Sequence, residues 1–526
     1  MLFKLINLTI LYTSDIHGHI MPINYATNEK TDSGLAKYAT VVKQKRKESD
    51  YMIVVDNGDL IQGTPLMTHY VKEHMNKLNP MIQAMNTIGI DAGVIGNHEF
   101  NYGMNVLHAA IDQSHYPWLA ANIIDKESNQ PKFGPPYLTK IFENGLKIAI
   151  IGVTTHYIPN WESPDHLQGI NFEDASSTLQ KWVSHIQMVE QPDVLIAAYH
   201  GGFEKDLQTG EPTETLTGEN QAYEMCDLEG IDILLTGHQH RKIIGDRHGT
   251  LFIQPGHNAV TYGEIQVTLE QDETNHWNII NKQASIGRLE TMDTDKKIVE
   301  DASYLEASTQ KWLDQPIGNI IGDMTIRNPF EARINKHPFI EFIQKVQMRA
   351  SGANISVTAL LNNHATGFSS TVTMRNVVSN YMYPNTLVVL ELSGKDIKEA
   401  LEQTATYFKL AVDGRIIVNP AYEDPKPQHY NYDMWEGIEY TINVANPVGN
   451  RIEKLSYQKQ PIKNTATYSV VMNNYRASGG GNYAMFKGKS VIKEIQKDTV
   501  ELIREYFDTY TTIEATVTNN YKVIAK

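Results

Sequence analysis

Five short fragments carry side chains suited to binding metal ions: Asp15 and His17 in DIHGH, Asp59 in DNGD, Asn97 and His98 in GNHE, His200 in YHGG, and His238 and His240 in GHQH. Imidazole nitrogens, carboxylates and an amide oxygen are borderline-to-hard donors that suit Mn, Fe, Zn or Co. These donors outnumber the roughly four to six positions of one ion, so two divalent ions are the natural count. A metal pair suits phosphoester hydrolysis, because one ion acidifies a water and both, about 3.5–4 Å apart, take up charge on the phosphoryl oxygens. A carboxylate bridging the ions would hold that spacing, and Asp59 is the candidate. A histidine close to the ions but not bound to them could protonate the leaving oxygen or stabilise the transferring phosphoryl group. The single cysteine, Cys226, excludes an internal disulfide and a thiolate cage, so metal must bind through nitrogen and oxygen.

Each fragment ends an apolar, strand-like run: NLTILYTSD, YMIVVDNGD, AGVIGNHE, DVLIAAYHGG and IDILLTGHQH, with LKIAIIGVTT and LFIQPGH as further strand candidates. Helical periods such as SGLAKYATVVKQKRKE and PLMTHYVKEHMNKL lie between them. This alternation argues a layered α/β domain, which gathers its ligand at the C-terminal ends of the strands. Taken singly, GD is a turn, Asn97 a helix cap and GHQH a solvated pair. Five such fragments in this order, each at a strand end, are not independent accidents.

At 526 residues the chain is too long for one core. A charged helical period over Asp293–Asp314 stops at Gln315-Pro316. The expected organisation is therefore a first α/β domain over 1–290, a linker helix over 291–315 and a smaller α/β domain over 316–526. In the last, helical HPFIEFIQKVQMRAS and GKDIKEALEQTATYF and strand-like NISVTALL and TLVVLEL precede a β-rich, Tyr-rich stretch to the end. The net charge of -15 repels polyanions, so nucleic acid polymers and anionic membranes are poor partners. No stretch approaches the roughly 18 apolar residues of a membrane span. The N-terminal run MLFKLINLTILYTSD reads as a first strand and not a cleavable leader. The expected location is cytoplasmic, with a secreted origin open if a leader has been removed, and the expected state is a monomer.

In this order DIHGH, DNGD, GNHE, HGG and GHQH resemble the calcineurin-like metallophosphoesterase superfamily, and NNYRASGGGNY resembles the substrate loop of the 5'-nucleotidase C-terminal domain. The resemblance implies a four-layer metallophosphatase domain joined by a helix to a smaller domain with a nucleobase pocket. It implies one metal held by Asp15, His17, Asp59 and His240, and another held by Asp59, Asn97, His200 and His238. His98 would be the catalytic histidine, with Asn101 beside it. The implied substrate-binding set is Tyr383 in MYPNTL and Tyr475 in NNYRASGG, which sandwich the base, with Asn97, Gly479 and Gly480.

Three positions depart from the 5'-nucleotidase pattern. Leu361-Asn362-Asn363-His364-Ala365-Thr366-Gly367 replaces its Asn-Gly-Gly-Gly-Ile-Arg segment, Gly481 stands where many members carry a ribose-binding aspartate, and Asn101 replaces the usual aspartate partner of the catalytic histidine. The last change is expected to leave His98 without a negative neighbour. GNHEFNYG, PNWE at 159–162, ENQAYEM, TMRNVVSNYMYPNTL and YNYDMWEGIEYTINVANPVGNRI resemble the bacterial 2',3'-cyclic-nucleotide 2'-phosphodiesterases, which often act as 3'-nucleotidases too. The expected function is that two-metal hydrolysis of small nucleotides, in nucleotide salvage, with a 5'-nucleotidase or nucleotide-sugar hydrolase as the alternative.

Overall fold

A computed structural model describes residues 4–162, 164–214, 216–381, 385–424, 427–495 and 497–526. The chain divides into two compact units, Met1–Thr309 and Gln310–Lys526. The division falls inside the helix Lys296–Leu313, whose first part stays with the first unit through Tyr25 Oη donating to Glu306 and His69 facing Ser308.

The first unit holds two six-stranded sheets. In one, Lys4–Thr13, Tyr51–Asp56, Ala92–Val94 and Trp118–Leu119 run parallel, and the antiparallel pair Thr261–Gln271 and Trp277–Arg288 extends the edge. In the other, Lys147–Thr154, Val194–His200, Ile233–Thr236 and Thr250–Pro255 run parallel between antiparallel edges Tyr137–Ile141 and Lys242–Arg247. Alternation decides how they pack. Leu8, Ile10, Tyr12, Ile53 and Val55 from the first sheet meet Ile148, Ile150, Ile196, Ala198, Ile233 and Leu235 from the second in one dry core. Each buried Leu, Ile or Val among them contributes about 1.5–3 kcal/mol by leaving water.

The intervening residues are buried too, which parallel strands require when helices cover their outer faces. Leu179, Val183 and Ile186 of the helix Ala175–Val189 pack on Ala149, Ile151, Leu195 and Ala197 of the second sheet. The helix Leu35–Glu48 lies on the first sheet's side, with Tyr38 against Tyr262 and Lys45 paired with Glu264. The result is the four-layer arrangement.

The second unit is built on a five-stranded sheet ordered Asp433–Glu436, Ile355–Ala359, Thr467–Asn473, Leu387–Ser393 and Val491–Ile495. The helices Pro338–Ser351 and Gly394–Ala405 pack against it. The tail is not purely β: Thr499–Thr509 is a helix, capped by Asp498 accepting from the Glu501 amide and burying Val500, Leu502, Ile503 and Phe507. Among the described residues no helix is long and apolar enough to cross a membrane.

Candidate metal centre

The two sheets end at the same place. Asp15 and His17 follow Lys4–Thr13, Asp59 follows Tyr51–Asp56, and Asn97 and His98 follow Ala92–Val94, all in the first sheet. His200 closes Val194–His200, and His238 and His240 follow Ile233–Thr236, in the second. Asp15, His17, Asp59, His238 and His240 all adopt left-handed backbone, with φ between 50° and 65°. Such a conformation costs a non-glycine residue about 1–3 kcal/mol, and it turns each side chain inward where an extended strand would carry it past.

The structure brings all seven expected ligands together. Asp15, His17 and His240 form one trio of donor atoms within 4.8 Å of one another, and Asp59, His200 and His238 form another. His17 Nε2 and His240 Nε2 are 3.0 Å apart, and His240 Nε2 is 3.5 Å from Asp15 Oδ1. In the other group Asp59 Oδ2 lies 3.2 Å from His200 Nε2, while Asn97 Oδ1 lies 3.2 Å from His200 Nε2 and 2.9 Å from His238 Nδ1. A third trio of His17, Asp59 and His98 overlaps both, so Asp59 stands between the groups and His98 beside them. The His98 amide donates to Asp59 Oδ1 at 2.8 Å.

The donors' outer partners fit cation binding. His200 Nδ1 donates to the Asn57 carbonyl at 2.6 Å, and His238 Nε2 donates to Glu219 Oε1 at 3.0 Å. In each ring the far nitrogen is engaged, so a lone pair on the near one can face an ion. Burial alone would raise Asp15 and Asp59, but His240 and His200 hold Asp15, and His200 and His98 hold Asp59, well below the usual carboxylate range. Burial pulls His200 down, yet the Asp59 charge outweighs it and pushes the ring up to about 10. A cation taking Nε2 displaces that proton.

Two acidic residues with no assigned role in the sequence reading support this centre. Glu99, fully buried within GNHE, accepts from the amides of Asp59, Leu60 and Gly96 at 2.9, 2.6 and 2.7 Å. It ties the Asp59 loop to the Asn97 loop. Glu219, the first residue of ENQAYEM, is the partner of His238. His98 differs from its expectation: Nδ1 donates to Asn101 Oδ1 at 2.5 Å, and Asn101 Nδ2 donates to Glu162 Oε2 at 2.7 Å. The negative neighbour is therefore not lost but stands one residue further back.

In the second unit, Tyr475 is half-buried in the short helix Asn474–Ala477, and its carbonyl accepts from the Gly480 amide at 3.1 Å. A Cβ at Gly480 would stand 2.6 Å from the Tyr475 ring, so the glycine lets ring and loop touch. Arg476 holds this loop from beneath. Its guanidinium pairs with buried Asp433, Nε 2.8 Å from Oδ2, lies 4.0 Å from the Tyr483 ring centroid and donates to the Gly480 carbonyl. Gly479 is buried at the start of the same loop. Tyr383 lies outside the described residues.

Known proteins share this organisation. The profile of calcineurin-like phosphoesterases matches residues 8–242, and that of the 5'-nucleotidase C-terminal domain matches residues 316–488. A Staphylococcus aureus structure provisionally named a 5'-nucleotidase, solved with alpha-ketoglutarate, has TM-score 0.90 and 36% identity, covering 98% of this chain and 100% of that one. The 2',3'-cyclic-nucleotide 2'-phosphodiesterase/3'-nucleotidase of Salmonella typhimurium is 28% identical over 90% of this chain and 82% of its own length. The trifunctional nucleotide phosphoesterase protein YfkN of Bacillus subtilis is 26% identical over 98% of this chain, which spans only 39% of that protein. Calcineurin-like phosphoesterases use divalent metal ions, and the donor set at the sheet ends suits them. The chain belongs to the calcineurin-like phosphoesterases that carry a 5'-nucleotidase C-terminal domain, and it is a metal-dependent phosphoesterase.

Proposed function

We propose that the chain is a 2',3'-cyclic-nucleotide 2'-phosphodiesterase with 3'-nucleotidase activity, acting on small nucleotides in salvage. The observation that carries this reading is Gly481. A Cβ there would stand 2.0 Å from Asn431 Oδ1 and 2.5 Å from Arg476 Nη1, and φ is 70°, so a ribose-binding aspartate of the 5'-nucleotidase kind would need a strained backbone and the displacement of both side chains. The name of the Salmonella typhimurium relative supports the same substrate class.

Two divalent ions, Mn, Zn or Fe/Co, would be held by Asp15, His17, Asp59 and His240 and by Asp59, Asn97, His200 and His238. When bound they supply positive charge for the phosphoryl oxygens and a water acidic enough to attack at neutral pH. His98, with Nδ1–H given to Asn101, keeps Nε2 for the reacting side, where it can hold a proton or return one. Water oxygen ends on phosphorus, the P–O2' bond breaks, and O2' leaves with a proton, giving a nucleoside 3'-phosphate. Breaking P–O3' in a second hydrolysis yields the nucleoside and phosphate. Tyr475 and Tyr383 would clasp the base, with Gly479 and Gly480 shaping the loop.

The 36% identity to the Staphylococcus aureus protein favours a second reading, hydrolysis of 5'-nucleotides, with nucleotide sugars as related substrates. Phosphate release from 2',3'-cyclic, 3'- and 5'-nucleotides and a nucleotide sugar by Mn- and Zn-loaded protein separates the two. A monoesterase added in parallel exposes diester opening. The proposal requires cyclic and 3'-substrates to be turned over well above the others, and a preference for 5'-nucleotides would replace it.

A further inference from the structure

The segment Ile158–Glu162 reaches the metal centre at His238 and the partner of His98 at Asn101. Trp161 lies on the His238 ring, centroids 5.3 Å apart and planes 28° from parallel. Glu162, with only 8% of its side chain exposed, accepts from Asn101 Nδ2 through Oε2 at 2.7 Å and from His166 Nδ1 through Oε1 at 2.9 Å. The row His166–Glu162–Asn101–His98 is therefore continuous, and it lies wholly within the first unit.

Chemistry fixes the direction of this row. A carboxylate only accepts, so the Asn101 atom facing Glu162 has to be the NH₂ group. The amide oxygen is then turned to His98 Nδ1, which must carry the hydrogen, and Nε2 is the atom left on the side of the reaction. An asparagine by itself imposes no such order, because its two ends are nearly equal in size and either could face the imidazole. The order comes from Glu162.

We propose that Glu162 is a positioning residue for His98: through Asn101 it selects the tautomer and orientation that an aspartate in the place of Asn101 would impose directly. Two sequence features are thereby one device, the amide in GNHEFNYG and the carboxylate in PNWE. The inference rests on His98 acting at the substrate, as read above.

The test is an exchange of charge between the two positions. Glu162→Gln removes the obligate acceptor and lets the Asn101 amide turn over, and Asn101→Asp sets two carboxylates against each other. Combined, they restore an acceptor for His98 and a donor behind it. The expected result is a fall in kcat of about tenfold or more for each single variant, with KM and bound metal near wild type. The double variant should recover to within a few fold of the wild-type kcat. Losses that simply multiply in the double variant, or Glu162→Gln with kcat within twofold of wild type, would overturn the proposal. If Glu162→Gln alone melts too low to assay, Asn101→Asp against the double variant still decides: recovery supports the relay, and its absence refutes it. His98→Ala separates the two levels of the argument. If it loses rate while the exchange shows no coupling, the role of His98 stands and that of Glu162 falls; if it keeps full rate, both fall.

Discussion

Around Asp59, eight polar side chains gather at the ends of five strands, and five of them sit on left-handed backbone. Around Tyr475, a glycine-rich loop is anchored at the end of one sheet through the buried ion pair of Arg476 with Asp433. The first region spreads its organisation over many contacts, so its parts differ in what they do but share the work of holding position. The second concentrates charge in one pair, and removing one partner leaves the other buried without its counter-charge.

Breaking the shared member of the first region should have the largest effect. Asp59→Asn is expected to abolish turnover with the fold intact, because a neutral amide bridges divalent ions poorly; metal analysis should find fewer than two ions, and a variant keeping both with near-normal rate would falsify the assignment. His98→Ala should cost about 10² to 10⁴ in kcat while both ions stay, the size of a general acid or electrostatic group. Loss of metal there would make His98 a ligand instead. Arg476→Met tests the concentrated region: about 3–5 kcal/mol of stability should go, seen as a lower melting temperature of the second unit, with ion content unchanged. Loss of ions in that variant would break the contrast between the regions. Glu219→Gln sharpens the distributed side, since loosening one outer partner of His238 should weaken ion binding only about 10- to 100-fold, measured by competition with a chelator. The smallest effect is expected of Tyr475→Ala, about tenfold in kcat/KM for nucleotides and far less for bis-p-nitrophenyl phosphate. Equal loss on both substrates would make the ring structural.

The donors were legible because each terminates an apolar run, and the strand-to-turn boundary is written in consecutive residues. Their supports were not. Glu99 binds Leu60, Glu219 binds His238 and Glu162 binds Asn101, pairings across 39, 19 and 61 positions that no local pattern encodes. All three nonetheless lie in fragments singled out by resemblance, so the signal was present without its meaning. The helix Thr499–Thr509 was hidden for another reason: TVELIREYFDT mixes β-branched and aromatic residues, although Val500, Ile503 and Phe507 mark one buried face. The division at Thr309/Gln310 lies within the segment 291–315 read as a linker helix, and its place there follows from Glu306 and Ser308 holding the helix to the first unit, which helical periodicity does not express.

The donors are also shared unequally between the sheets, with Asp15, His17, Asp59, Asn97 and His98 at the end of one and His200, His238 and His240 at the end of the other. The core joins the sheets through their middles, and at their ends these polar groups face one another across the seam. An ion gripped from both sides is therefore a cross-link, closing the sandwich where the apolar core stops. Ion loading and the stability of the first unit are then linked, and each tenfold rise in free ion above the dissociation constant adds about 1.4 kcal/mol to its stability. Stripping the ions with a chelator is therefore expected to lower the melting temperature of the first unit, whose apolar core still joins the two sheets.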